Sequence, residues 1–430
     1  MTGVDYQKSI ELLGEYDVCV VGGGPAGVAS AISAARSGAR VCLIERTGAL
    51  GGMATGGLVG PFMTSFDRDG EERTVGGIFL EIVRRLAVTG DAYLPDEIGT
   101  GSIYTSFIER YHNHVTPFDS FALERLLDVM VREAGVDVFC YMQFCDAIPE
   151  DGTVRYVIVA AAEGLRCVGA SVFIDATGIA ALAHAAGVPT YKGDEESATP
   201  QPATLMFEVD GVDDEAFAES GKRPERPVKV YRTPKDGRYK VNHYHVYNVD
   251  AADSKSLTEA HATARAQVSD AMQVLRDRTE GFSKARLAQV APLLGIRESR
   301  HILADYQITV SDVAEGIRFP DRIAVYGFGM DIHNRTESES GNFKIEIAKR
   351  YYVPYRALIP RGVSNMLVAG KTIGAQSQAV GGMRCMPAAM AMGEAAGIAA
   401  ALALAEGGSV RRVDVRELQN RLTCAGAIID

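Results

Sequence analysis

Asp17-Val18-Cys19-Val20-Val21-Gly22-Gly23-Gly24-Pro25-Ala26-Gly27 is a short apolar run that breaks straight into glycines. An unalternated apolar run of this length reads as a strand buried on both faces. The glycines satisfy G-x-G-x-x-G. Gly22 suits the tight turn, Gly24 lets a pyrophosphate approach the backbone, and Gly27 permits close packing of helix on strand. Small residues dominate from Gly27 to Gly38, which predicts a helix able to sit tightly on its neighbours. Its first turn opens at Pro25 and offers the unpaired N–H groups from Ala26 onward, with partial positive charge, to phosphates. A second strand over 40–45 ends at Glu45, twenty-one residues beyond Gly24, with Arg46 next to it. That spacing suits a carboxylate bonded to a ribose 2′-hydroxyl and disfavours a 2′-phosphate there.

The fingerprint alone does not choose between NAD and FAD. The loop Leu50-Gly51-Gly52-Met53-Ala54-Thr55-Gly56-Gly57 favours a flavin, because a glycine-rich backbone can run along an extended cofactor beyond its pyrophosphate. Ile174-Asp175-Ala176-Thr177-Gly178 and Asn365-Met366-Leu367-Val368-Ala369-Gly370 add two more strand-to-turn elements. No second G-x-G-x-x-G occurs, so no dedicated NAD(P)H domain is expected.

Working outward, helical periodicity runs from Asp119 to Ala134, and a strand follows at Val136–Cys140. Thr153–Ala160 and Ser171–Ala176 read as strands, the first paired with a partner near Leu165–Val168. Residues 204–209 and 238–248 look like antiparallel strands, with a helix over 256–277 and a strand over 301–309. Apolar runs and a small-residue helix, 386–406, close the chain. The expected architecture is α/β: a Rossmann-like dinucleotide domain, its parallel sheet flanked by helices and joined to a small β-meander. That domain would span 14–200 and 345–430, with 76–118 a cap or insert and 201–344 an inserted, mostly β substrate domain.

The chain has 430 residues, 47% of them hydrophobic, and a formal net charge of −11. That charge gives a nucleic-acid backbone no electrostatic footing. Seven scattered cysteines without a C-x-x-C pair argue against a disulfide framework or a zinc knuckle. No metal site is expected. Met1 to Tyr16 lacks an apolar core, and Ala395–Ala405 is too short to span a bilayer. The cytoplasm is the expected compartment.

Together these segments resemble the FAD-dependent oxidoreductase family of the glutathione-reductase-like flavoproteins. The marks are GGGPAGVASAISAARSGARVCLIER, LGGMATGGLVGPF, FIDATG, QPATLMFEVDGV, GIRESRHILADYQIT, DIHN, VPYRALIP and NMLVAGKTIGAQSQAVGGMRCMPAAMAMGEAAG, in that order from Asp17 to about Leu422. The resemblance implies a non-covalent FAD and a discontinuous cofactor domain. It also implies that Gly382, Met383 and Arg384, at the start of the last long helix, face the pyrimidine end of the flavin. Two departures stand out. Ile179-Ala180-Ala181 replaces an Asp-rich turn, and Ser377-Gln378 replaces a His-Glu pair at a substrate-contacting place.

Candidate chemistry follows from residue type and spacing. Gly295-Ile296-Arg297-Glu298-Ser299-Arg300 should open a strand, with Arg297 free to clamp a substrate carboxylate and Arg300 paired to Glu298. Asp331-Ile332-His333 puts a carboxylate and an imidazole on one face, as proton removal beside a flavin requires. Tyr352 and Tyr355 are rival proton carriers, Tyr355 also a substrate contact. His243 and His245 share a strand face. The expected activity is oxidation of a small molecule by hydride transfer to FAD, at a C–H next to O or N. Oxygen, a quinone or a carrier protein would take the electrons onward. A C=C reductase fed by a carrier, or a non-catalytic flavin-binding redox sensor or subunit, are the rival readings.

Overall fold

In the computed structural model the described residues are 3–4, 7–98, 112–194, 197–220, 228–337 and 343–430, the last without the side chains of 343–345. The apolar run that opens the fingerprint is the buried end of a longer strand, β1 (Glu11–Val21). It pairs in parallel with β2 (Val41–Ile44), which pairs in parallel with β3 (Asp137–Phe139). Three further strands, β4 (Gln143–Glu150), β5 (Thr153–Ala161) and β6 (Gly164–Asp175), complete the order β3-β2-β1-β6-β5-β4. The short strand Met366–Val368 adds to β6 in parallel. β4, β5 and the first half of β6 form consecutive antiparallel hairpins, which is the expected meander.

Two sequence expectations change here. The partner near Leu165–Val168 and the strand at Ser171–Ala176 are one continuous strand, β6. Its first half pairs with β5 while its last residues pair with Met366–Val368. The strand β4 was not anticipated, because its exposed face carries charge and Pro149 interrupts its alternation.

Side chains of β1 alternate between two cores. Val18 and Val20 join one with the helices, while Cys19 and Val21 join the other beneath the meander. All four are at most 2% exposed, so the sheet is covered on both faces, as an unalternated apolar run requires. The fingerprint helix α1 (Pro25–Arg36) packs on the C-terminal helix Met386–Leu404. Glycine makes that approach possible: a Cβ at Gly393 would lie 2.2 Å from the Ala26 carbonyl, and one at Gly397 2.1 Å from Ser33 Oγ. Ser30 Oγ donates to the Gly393 carbonyl (2.9 Å) and Ser33 Oγ to that of Glu394 (3.0 Å), so the serines buried at this contact are satisfied.

The C-terminal helix has 19 residues, longer than the apolar stretch read from sequence, and a mean hydropathy of 1.5 over 18 of them. Length and composition alone would let it cross a membrane. In the fold, 78% of that window is buried within the protein.

A separate core gathers residues from Ala203 to Leu294, with Leu58. It lies between a four-stranded antiparallel sheet (order Arg286–Val290, Phe207–Asp210, Tyr239–Asn242, Lys229–Arg232) and the 25-residue helix Ser254–Arg278. Helix outweighs strand there, contrary to the mostly β expectation. Segments after Leu294 rejoin the first unit: Arg300–Ile302 pairs with Thr190–Lys192, and Arg322–Tyr326 with Tyr351–Pro354. The strand expected over 301–309 stops at Ile302. Within the 76–118 insert, the helix Gly77–Val88 buries Ile78, Phe79, Ile82, Val83 and Leu86 in the first core. Residues 99–111 of that insert lie outside the described residues.

Candidate active site

One cavity of about 370 Å³ runs from the turn after β1 to the face of the second sheet. At one end lie Gly22, Gly24, Pro25 and Ala26, with Glu45 and Arg46 beside them. Gly22 adopts φ +105, and a Cβ there would lie 2.5 Å from the Ala176 carbonyl. A Cβ at Gly27 would fall 1.7 Å from the Gly22 carbonyl, so this glycine lets the helix meet the turn. Gly24 differs: a Cβ there would meet no protein atom within 4 Å, because its open side is the cavity. Helix α1 begins with no side-chain cap and no acidic residue in its first turn, leaving its amide groups to an anion. Glu45 is 7% exposed, and its carboxylate accepts from Gly23 N (2.8 Å), Thr47 N (2.8 Å) and Thr47 Oγ1 (2.8 Å). These bonds fix it against the wall where a ribose is expected.

The middle of the cavity is walled by Gly52 and Met53, by Ala176, Thr177 and Gly178, and by Gly370. Asp175, buried behind them, accepts from Thr177 N, Thr177 Oγ1 and Ala183 N, and so shapes the turn that the FIDATG motif marks. Burial pushes its carboxyl above the ordinary range. Gly51, Ala54 and Thr55 stand one layer back. Gly51 takes φ +98, Thr55 Oγ1 donates to the Leu50 carbonyl (2.6 Å), and the Ala54 carbonyl accepts from Ser120 Oγ (2.8 Å). These three hold the glycine-rich loop instead of lining the cavity.

At the far end, three separate segments converge. Asp331 and His333 come from the short strand Met330–Ile332 and the residue after it, with Asp331 Oδ2 3.4 Å from His333 Nε2. Arg384 donates to Asp331 Oδ2 (2.9 Å) and to its carbonyl (3.0 Å). Arg297 donates through one terminal nitrogen to the Pro202 carbonyl (2.7 Å) and Thr204 Oγ1 (2.6 Å). All four residues line the cavity.

The electrostatics follow from this packing. Although burial works against its charge, Asp331 is held well below the usual carboxylate range by His333 and Arg384. Burial first and Arg297 second push the His333 imidazole down to about 4, so it is neutral at pH 7. Its Nδ1 is buried without a partner. His245 packs edge-on against it, ring centroids 4.9 Å apart, and burial pushes it down to about 3. Burial brings Arg297 down to about 10, still charged at neutral pH, and Lys371, whose Nζ donates to the Ile296 carbonyl, down to about 7. Cys385 lines the cavity, but burial raises its thiol to about 12, which suits packing and not nucleophilic work.

Several expected site residues lie elsewhere. Tyr355 is 2% exposed and off the cavity, its hydroxyl donating to the Val410 carbonyl (2.8 Å). Ser377 is enclosed behind the wall in a polar network: its hydroxyl meets Glu298 and Arg335 (2.6 Å), and Arg335 reaches Glu298 (3.0 Å) and Asp194 (3.0 Å). Glu298 thus pairs with Arg335 and His301, not with Arg300 as expected. The strand starts only at Arg300, so the alternation that would have paired Arg300 with Glu298 never begins. Gln378 and Gly382 are also off the cavity, as is Met383. A Cβ at Gly382 would lie 2.4 Å from the Tyr351 hydroxyl and 2.5 Å from the Phe328 carbonyl, so that glycine serves packing. The helix start at Cys385, Met386 and Ala389 does reach the cavity, without a side-chain cap.

Other wall residues were not singled out from the sequence. Gln143 and Phe144 come from the unanticipated strand β4, Met142 from just before it, and Tyr231 and Asn242 from the second sheet. Lys371, next to Gly370, is another. Among the described residues no cluster of three or more His, Cys, Asp or Glu has metal-binding geometry.

Residues 17–422 match the family described as FAD dependent oxidoreductase. The chain belongs to that family. FAD is its cofactor, and the residues fit the group: an uncapped helix start, an open Gly24 and an anchored Glu45 face one cavity. No curated protein matches this oxidoreductase. Among solved structures it is similar to a geranylgeranyl bacteriochlorophyll reductase-like protein from Thermoplasma acidophilum, at 14% identity over 97% of this chain and 85% of that one, TM-score 0.47. It is also similar to BexE, studied for oxidation during BE-7585A biosynthesis, at 16% identity over 95% and 68%, TM-score 0.49. The myxobacterial chondrochloren halogenase CndH gives 14% over 95% and 79%, TM-score 0.47. At these values the likeness says nothing about the reaction of the oxidoreductase.

Proposed function

We propose that this oxidoreductase is a dehydrogenase or oxidase of a small molecule, acting at a C–H bond next to oxygen or nitrogen. The observation that carries it is the convergence of Asp331, His333, Arg384 and Arg297 on the same cavity as the cofactor cradle. Gly22, Gly24 and the start of α1 would hold the pyrophosphate, Glu45 the adenosine ribose, and the turns at Met53, Thr177 and Gly370 the remainder. FAD, when bound, supplies the two-electron acceptor for the hydride leaving carbon.

The protein's own part is proton handling and orientation. His333, neutral at pH 7, takes the proton from the substrate's hydroxyl or amine. Asp331 sits 3.4 Å from its Nε2, orients the ring and offsets the charge it gains. Arg384 holds Asp331 ionised through the 2.9 Å contact. Apolar Met206, Leu293 and Leu294 also line the cavity and would limit water in it.

Anaerobic mixing of the FAD-loaded protein with secondary alcohols, amines and their 2-carboxylate derivatives tests this. Loss of the oxidised flavin absorbance with at least one of them is expected. If chemically reduced protein is instead reoxidised by an unsaturated acid, and no alcohol or amine bleaches it, the reaction is a C=C reduction and the proposal fails.

A further inference from the structure

Arg297 is a buried charge on the cavity wall with no carboxylate in direct contact; Asp331 offsets it only through space. It is 9% exposed, and it takes part in no ion pair among the described residues. Its neighbours are treated differently: Arg384 pairs with Asp331, and Arg335 pairs with both Glu298 and Asp194. Both hydrogen bonds of Arg297 leave from one terminal nitrogen, to Pro202 and Thr204. The Nε edge and the second terminal nitrogen make none, and they are not among the fully enclosed unpartnered atoms. That edge therefore opens on the cavity.

A buried guanidinium with no carboxylate in direct contact is incompletely compensated, so its pocket is best matched by an anion that arrives with the ligand. Two parallel N–H groups on one edge fit a carboxylate in bidentate fashion. The cofactor's phosphates have their own cradle at Gly24 and the start of α1. Arg297, in contrast, hangs from residues 202–204 and shares its part of the wall with Tyr231 and His333.

We propose that the substrate is a small monocarboxylate, its carboxylate forked on the free edge of Arg297 and the carbon to be oxidised placed beside His333. The placement next to His333 rests on the dehydrogenase reading; the anchor does not. Binding would also act on the base. His333 faces Asp331, Arg384, Arg297 and His245, and Arg297 is the charge that most opposes its protonation after burial. A carboxylate on Arg297 offsets that charge, so the imidazole becomes a stronger base only when substrate is in place.

The test uses the FAD-loaded wild-type protein. Acetate, butyrate and benzoate are titrated against acetamide, butyramide and benzamide, and the flavin absorbance difference spectrum is read. At least one acid is expected to bind about 100-fold tighter than its amide, the size of a lost charge-assisted fork. Arg297→Gln should erase that preference, and Arg297→Lys should restore part of it. Equal affinity of acids and amides, or no binding of any acid, overturns the anchor. Should either variant lose FAD, the wild-type acid-to-amide ratio still decides. The same samples are mixed anaerobically with 2-hydroxy and 2-amino acids and with the alcohols and amines that lack the carboxylate. Acids that bind without bleaching the flavin leave the anchor standing and defeat the dehydrogenase reading. Bleaching by neutral compounds with no preference for acids does the reverse.

Discussion

The two ends of the cavity are built on different principles. The end proposed to hold the cofactor is backbone: Gly22, Gly24 and the first turn of α1 lie within one short stretch, and Glu45 arrives one strand later. The end where we propose the reaction takes place is side chains, with Arg297, Asp331, His333 and Arg384 drawn from three separate segments and held by burial and mutual charge. A local backbone cradle tolerates few changes of shape and many changes of neighbour. A cluster of charges assembled from distant segments depends on every partner. Substitutions at the first end should therefore act on cofactor retention, and those at the second on rate.

The largest effect expected separates two glycines within the cradle itself. Gly27→Ala places a Cβ 1.7 Å from the Gly22 carbonyl, a backbone clash no rotamer relieves. We predict a cost of at least about 4 kcal/mol, enough to lose both folding yield and FAD. In Gly24→Val the added Cβ meets no protein atom within 4 Å, and the φ of −71 is open to any residue. That variant should fold with unchanged denaturant midpoint as apoprotein yet bind FAD at least about 100-fold more weakly, because the clash is with the ligand. Thermal melts with and without FAD read the difference. Equal FAD affinity in Gly24→Val and wild type would falsify the placement of the pyrophosphate.

At the other end the effect should fall on rate. His333→Gln is predicted to keep FAD and to slow anaerobic flavin reduction about 100- to 10,000-fold, the usual worth of a positioned base. The pH profile carries the sign. An imidazole accepts a proton only when neutral, so the wild-type rate should be flat near pH 7 and fall as pH drops through about 4. A carboxylate substrate moves that limb upward by offsetting Arg297. In His333→Gln the limb should vanish. A variant that keeps both rate and limb assigns the proton to another group.

What was legible in the sequence follows the same division. The order strand, glycine turn, small-residue helix, strand and Glu45 is local, and each step has a steric or electrostatic reason readable from a few neighbours. The pairing of Asp331 with His333 was legible too, since residues two apart on an extended chain share a face. The partner of Glu298 was not, because Arg335 and Ser377 reach it through the tertiary fold and not through strand alternation. Strand β4 escaped because its exposed face is charged and proline-broken, leaving little period-2 signal. The wall from Tyr231 and Asn242 depends on how the second sheet docks, which no local pattern encodes. Ser377 stands at the place of a family His-Glu pair, yet its hydroxyl is used up between Glu298 and Arg335. Motif position and cavity position are separate facts.

The smallest effect expected is at Tyr355, where the sequence pointed to substrate and the fold points away. Its hydroxyl is buried against the Val410 carbonyl, and burial holds the phenol far above its ordinary range, so it keeps its proton at neutral pH and does not pass it on. Tyr355→Phe keeps the ring, which packs with Ala357, Leu358 and Ile359 in the first core, and removes one neutral hydrogen bond. The loss should be about 1 kcal/mol of stability by urea denaturation, part of it from the orphaned carbonyl. Flavin reduction and carboxylate affinity should not change. If the rate falls while stability holds, the phenol reaches the reacting end in the working enzyme. The division between cofactor cradle and catalytic cluster would then need a third contributor, from the segment that carries Tyr351–Pro354.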